Sequence, residues 1–151
     1  MKFAQKNMQS RRNPNVVLDS VIVVSAFLTG GMTADLIQEC KDKTNLYTAA
    51  EIFGEIRRVL LEKDHIRRRY TYADDDVDIF MTELQEHSTI VKSLPEIRAV
   101  ERDPKDDMIV ACAVAVDADY IVSRDRDLLD LVEYQGIRIV SPEAFIEILR
   151  E

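Results

Sequence analysis

The chain has 151 residues, 46% of them hydrophobic and 32% charged, and a formal net charge of −8. That length supports one domain with a substantial core, and no run approaches the roughly 18 uncharged apolar residues of a membrane span. The acidic balance argues against broad electrostatic capture of nucleic acid, although it leaves room for a local basic patch.

Residues 1–14 carry Lys2, Lys6, Arg11 and Arg12 and no acid. They lack an apolar segment, so they read as a mobile basic arm rather than a secretory signal. The domain proper is expected over 15–151. Residues 16–19 read as a buried strand. The apolar run continues to Leu28, too long for a strand, so a helix should start just after Asp19 and end at Gly30-Gly31. Thr33 can cap a helix running to about Lys43. A short strand follows at 46–48. Thr48-Ala49-Ala50-Glu51 has the spacing of a capping box, and Ile52, Ile56, Val59 and Leu60 recur at helical spacing to about Glu62. Val77, Phe80, Met81 and Leu84 give another amphipathic helix over 74–86, followed by a strand at 89–91.

Asp103-Pro104 reads as a cap and first helical residue. The segment 108–116 is apolar all round, so its helix should be largely buried. Strands are expected at 120–123 and 137–140, and Ser141-Pro142 should cap a last helix through Phe145, Ile148 and Leu149. Strands alternating with helices give an α/β fold with a mostly parallel sheet. Cys40 and Cys112 are far apart and unpatterned, as packed, reduced thiols of a cytoplasmic protein are.

Carboxylates stand where the apolar elements end. Asp19 follows the first strand, Asp107 opens the buried helix, and Asp125 and Asp127 follow the strand ending in Val122-Ser123. Glu55 borders the apolar face of its helix. Ligands bind outside the carboxyl ends of parallel strands. An acid cluster there without a Cys or His cluster suits Mg²⁺ or Mn²⁺ and metal-assisted phosphodiester chemistry. Each acid also has a plainer reading. Asp103 and Asp106 are expected as helix caps, Asp125 can cap a helix over 126–131, Asp127 can be an ordinary first-turn acid, and Glu55 can be solvated. The run Asp74, Asp75, Asp76 and Asp78 reads as helix-terminal surface charge, and His65 and His87 as solvated. Segment 57–69 holds Arg57, Arg58, Lys63, Arg67, Arg68 and Arg69, which is either a solvated face or a phosphate-contacting rim.

Four motifs in order carry a resemblance. They are Val-Val-Leu-Asp at 16–19, Glu-Ile-Arg-Arg-Val-Leu at 55–60, Arg-Asp-Pro-Lys-Asp-Asp at 102–107 and Ile-Val-Ser-Arg-Asp-Arg-Asp at 121–127. Together they resemble the PIN-domain family, most of all its VapC-like toxin components of toxin–antitoxin pairs. The resemblance implies a three-layer α/β/α fold and a Mg²⁺- or Mn²⁺-dependent endoribonuclease leaving 5′-phosphate and 3′-hydroxyl ends. It implies Asp19, Glu55, Asp107 and Asp125 as catalytic acids, with Asp127 a further metal ligand and Ser20 and Ser123 supporting them. An antitoxin partner and a homodimer follow from it, with no membrane association.

One position departs. The family's first motif is usually Asp-Thr-Asn, and here it is Asp19-Ser20-Val21. Ser20 keeps the hydroxyl, but Val21 cannot supply the amide that would orient the acids. Such losses cost about 10- to 100-fold in affinity or activity. The alternative is therefore a degenerate domain that holds metal or an antitoxin with little cleavage. An aspartyl-phosphate phosphatase with Asp19 as nucleophile wants a second acid at position 21, and Val21 argues against it.

Overall fold

The computed structural model describes residues 12–100 and 104–151; the expected basic arm lies almost wholly outside them, as does Asp103. In chain order the elements are β1 (Asn15–Leu18), α1 (Ser20–Thr29), α2 (Gly31–Lys43), β2 (Asn45–Ala49), α3 (Ala50–Glu62), α4 (Asp64–Arg69), α5 (Asp74–Glu86) and β3 (Ser88–Val91). They continue as α6 (Pro104–Ala115), β4 (Tyr120–Val122), α7 (Arg126–Leu129), β5 (Glu133–Tyr134), β6 (Ile137–Val140) and α8 (Pro142–Leu149). The six strands form one sheet in the order β3-β2-β1-β4-β6-β5. Every pairing is parallel except β5 with β6. The fold is α/β, with helices flanking the sheet.

Parallel strands covered on both faces need apolar residues at consecutive positions. Val16, Val17, Ile121 and Val122 are accordingly sealed from solvent. Helix α6 packs on β1, β2 and β4 through Ile109, Val110, Cys112 and Ala113, all buried. Its small Ala and Cys side chains suit a close approach to the sheet. Cys40 and Cys112 are free and buried.

Several boundaries differ from expectation for local reasons. Helix α2 starts at Gly31, so Thr33 lies inside its first turn, where its hydroxyl reaches the Gly30 carbonyl at 3.2 Å and Ser25 Oγ at 3.3 Å. Gly30 and Gly31 both adopt positive φ, 67° and 64°. This conformation suits glycine and lets the chain turn sharply between α1 and α2. The capping box at Thr48 does not form: β2 runs on to Ala49, which takes the cap position without a side-chain bond. Helix α4 and the short β5 have no counterpart among the expected elements. Among the described residues no single helix is long and apolar enough to cross a membrane.

The chain lays β1, β2 and β3 outward in one direction and then returns to place β4 on the other side of β1. The carboxyl ends of β1 and β4 therefore flank the point where the winding reverses, which is where open α/β sheets hold their ligands.

Candidate metal centre at the carboxyl ends of β1 and β4

The β1–β4 register pairs Leu18 with Val122, so the residues that follow, Asp19 and Ser123, face each other. The Asp19 amide extends the ladder by donating to the Val122 carbonyl at 2.9 Å. Asp19 is only 5% exposed. Its Oδ2 accepts the Ser123 hydroxyl at 2.7 Å, and its Oδ1 accepts the Ser20 hydroxyl at 3.4 Å. Burial pushes the Asp19 carboxyl above its ordinary range; the Ser123 hydrogen bond opposes that rise, and the charge of Asp125 adds to it.

Ser123, itself fully buried, also holds a second partner, since its Oγ accepts the Asp125 amide at 2.9 Å. Asp125 then caps α7, its Oδ1 accepting the Asp127 amide at 2.8 Å. The capping role considered for Asp125 is thus real. It also fixes the loop that presents Asp125 and Asp127.

The third acid of the group comes from α6. Carboxylate oxygens of Asp106, Asp125 and Asp127 all lie within 4.8 Å of one another, and Asp106 is buried. Among the described residues no other set of three metal-ligating side chains converges this way. Like charges gathered this closely repel one another, and a cation between them would offset that repulsion. An all-oxygen donor set fits a hard divalent ion such as Mg²⁺ or Mn²⁺.

The structure places Asp106, expected as a helix cap, in the three-acid group and Asp107 outside it. Asp107 is not a member of the group; its Oδ1 accepts the backbone amides of Ala99 at 2.8 Å and Val100 at 2.7 Å. Helical spacing does not separate the two acids: three, four and seven positions beyond Asp106 stand Ile109, Val110 and Ala113, and beyond Asp107 stand Val110, Ala111 and Val114, apolar in both cases. The structure does separate them, because Asp106 is buried and Asp107 is only half-buried.

Glu55, also outside the three-acid group, has a side chain only 15% exposed and pairs with Lys105 Nζ at 3.3 Å. Val21, in the first turn of α1, is 60% exposed. His65 and His87 are exposed.

The arginines divide. Arg67 is bound into the fold: it donates to the carbonyls of Leu60, Leu61 and Tyr72, pairs with Asp74 at 2.8 Å and lies over the Tyr72 ring. Arg57 pairs with Asp78 at 3.1 Å. Arg58 and Arg68 are exposed, and so is Arg69, which stacks near Tyr70.

A family model described as PIN domain matches residues 15–127, from the first residue of β1 to the last acid of the group. No curated protein was found to match the chain. PIN domains are generally nucleases and usually use a divalent metal. With that match covering more than half its length, the chain belongs to the PIN-domain family.

Proposed function

We propose that this protein is a Mg²⁺- or Mn²⁺-dependent endoribonuclease that hydrolyses RNA to 5′-phosphate and 3′-hydroxyl ends. The observation that carries the reading is the convergence of Asp106, Asp125 and Asp127 beside an Asp19 joined to Asp125 through Ser123. Those acids would hold the cation, with Asp106 in the part that the motif suggested for Asp107 and Glu55 at the margin. A bound divalent ion supplies neutralisation of the scissile phosphate and a lowered pKa for the attacking water. The chain's own work is orientation. Ser123 locks two of the acids to the ends of adjacent strands. Asp106 stands in the first turn of α6, whose amino end favours negative charge. Arg58, Arg68 and Arg69 offer cations for the RNA backbone.

The motif resemblance extends the proposal to a toxin of a toxin–antitoxin pair, acting as a homodimer and held by an antitoxin protein. The two buried thiols suit a reducing cytoplasm. Val21 supports the second reading, a PIN domain that binds metal or antitoxin and cuts slowly. The deciding experiment incubates purified protein with mixed RNA and Mg²⁺ or Mn²⁺ against an EDTA control. Cleavage confined to the metal samples, with 5′-phosphate ends, supports the nuclease reading. Cleavage that survives EDTA, or ends bearing 2′,3′-cyclic phosphate, excludes it.

A further inference from the structure

Asp107 has an arrangement that neither a ligand nor a simple cap requires. One carboxylate oxygen accepts two successive amides, from Ala99 and Val100, at 2.8 and 2.7 Å. Those amides belong to the segment that follows β3, whereas Asp107 sits in the first turn of α6. Val100 is buried, so its amide would be costly to leave without an acceptor. Hydrogen bonds to an ionised acceptor are roughly twice as strong as neutral ones. Asp107 therefore pins the incoming chain to the start of the helix.

The buried face of α6 seats the helix on the sheet, and this pin adds a constraint on rotation at its amino end. Successive helical residues point about 100° apart, as 3.6 residues per turn requires. With Asp107 turned toward Ala99 and Val100, Asp106 is turned toward Asp125 and Asp127. We infer that Asp107 is a positioning residue, whose clamp on the amides of Ala99 and Val100 aims Asp106 into the metal centre. This rests on the reading of the acid group as a metal site.

The test uses the full chain and Mn²⁺ alone, with affinity measured by titration calorimetry on samples shown to be folded. Asp107→Ala removes both acceptor bonds, and Mn²⁺ affinity should fall by about 10-fold, the lower end of the effect of losing a support behind a metal ligand. Asp107→Asn keeps a carbonyl oxygen that can accept the same two amides, and it should recover most of that loss. Asp106→Asn removes a proposed ligand and should lose more affinity than either. If Asp107→Asn loses as much as Asp106→Asn, Asp107 is itself a ligand and the inference is overturned. If Asp107→Ala lowers only the melting temperature and leaves Mn²⁺ affinity intact, the clamp is merely structural and the inference again falls. Should Asp107→Ala not fold, Asp107→Asn decides alone: near-native affinity supports positioning, and a loss matching Asp106→Asn overturns it. Unchanged affinity in Asp106→Asn overturns the metal-site reading itself, which distinguishes that failure from a failure of the clamp.

Discussion

Ser123 donates its hydroxyl to Asp19 at 2.7 Å while accepting the amide of Asp125 at 2.9 Å. One buried side chain thus couples the acid after β1 to the acid after β4. Ser123→Ala would leave a buried carboxylate oxygen and an amide without this partner. The expected cost is about 1–3 kcal/mol of stability and about 10- to 100-fold in Mn²⁺ affinity. Ser123→Thr, which keeps the hydroxyl, should retain most of the affinity. Urea denaturation and calorimetry check both; an alanine variant with unchanged Mn²⁺ affinity would remove the bridge from the account.

Asp19 supplies a pH dependence with a definite sign. Burial raises its folded pKa above the ordinary 3.8, so in that window the folded chain binds more protons than the unfolded one. Its contribution to stability is complete below the ordinary value and is lost as pH rises through the raised one. The metal-free Asp19→Asn variant should therefore lose this fall and be at least as stable as the wild type near neutral pH. Added Mn²⁺ should stabilise the wild type by about 2.7 kcal/mol at a hundredfold excess over Kd, and the variant less. Melting curves across pH, with and without Mn²⁺, measure this. A variant less stable than the wild type at neutral pH and equally metal-responsive would count against it.

The arginines of 57–69 should not behave alike. Arg67 is tied to three backbone carbonyls and Asp74, so Arg67→Ala is expected to cost about 1–3 kcal/mol in denaturation. Exposed Arg58, Arg68 and Arg69 changed together should leave stability within about 0.5 kcal/mol while weakening RNA binding. The salt slope should flatten by about 1 for each lost phosphate contact. An unchanged slope would leave them as surface charge.

Val21 is 60% exposed, so Val21→Asn buries no amide and should fold normally. If the missing amide limits the site, the variant should gain cleavage rate or metal affinity by about 10-fold or more. Equal rates in the two proteins would show that the centre does not depend on this position.

The sheet and most helices were legible because burial on both faces forces apolar runs and Asp19, Ser141 and Pro104 mark boundaries. Asp19, Asp125 and Asp127 stand out in the sequence because acids follow directly on buried apolar strands; the structure brings Asp125 and Asp127 into one group with Asp106 and links Asp19 to Asp125 through Ser123. Asp106 and Asp107 are not separable by sequence, because both stand in one first turn and the helix after them is apolar all round. Thr48 failed as a cap because pairing of β2 with β3 carries the strand to Ala49, a tertiary effect that local spacing does not carry. Helix α4 is six residues long with no buried side chain, so it leaves no apolar stripe to read. Arg67's structural role depends on the Leu60 and Leu61 carbonyls and on Asp74, which the fold alone brings together.

The decisive measurement is RNA cleavage by Asp125→Asn beside the wild type, both folded and both in Mn²⁺. The substitution keeps the shape and the carbonyl that caps α7 but removes one charge from the three-acid group. A metal centre built on Asp106, Asp125 and Asp127 requires metal-dependent cleavage by the wild type and a loss of at least about 100-fold in the variant, the scale of losing one strong stabiliser of transition-state charge. Cleavage by Asp125→Asn at the wild-type rate would contradict it.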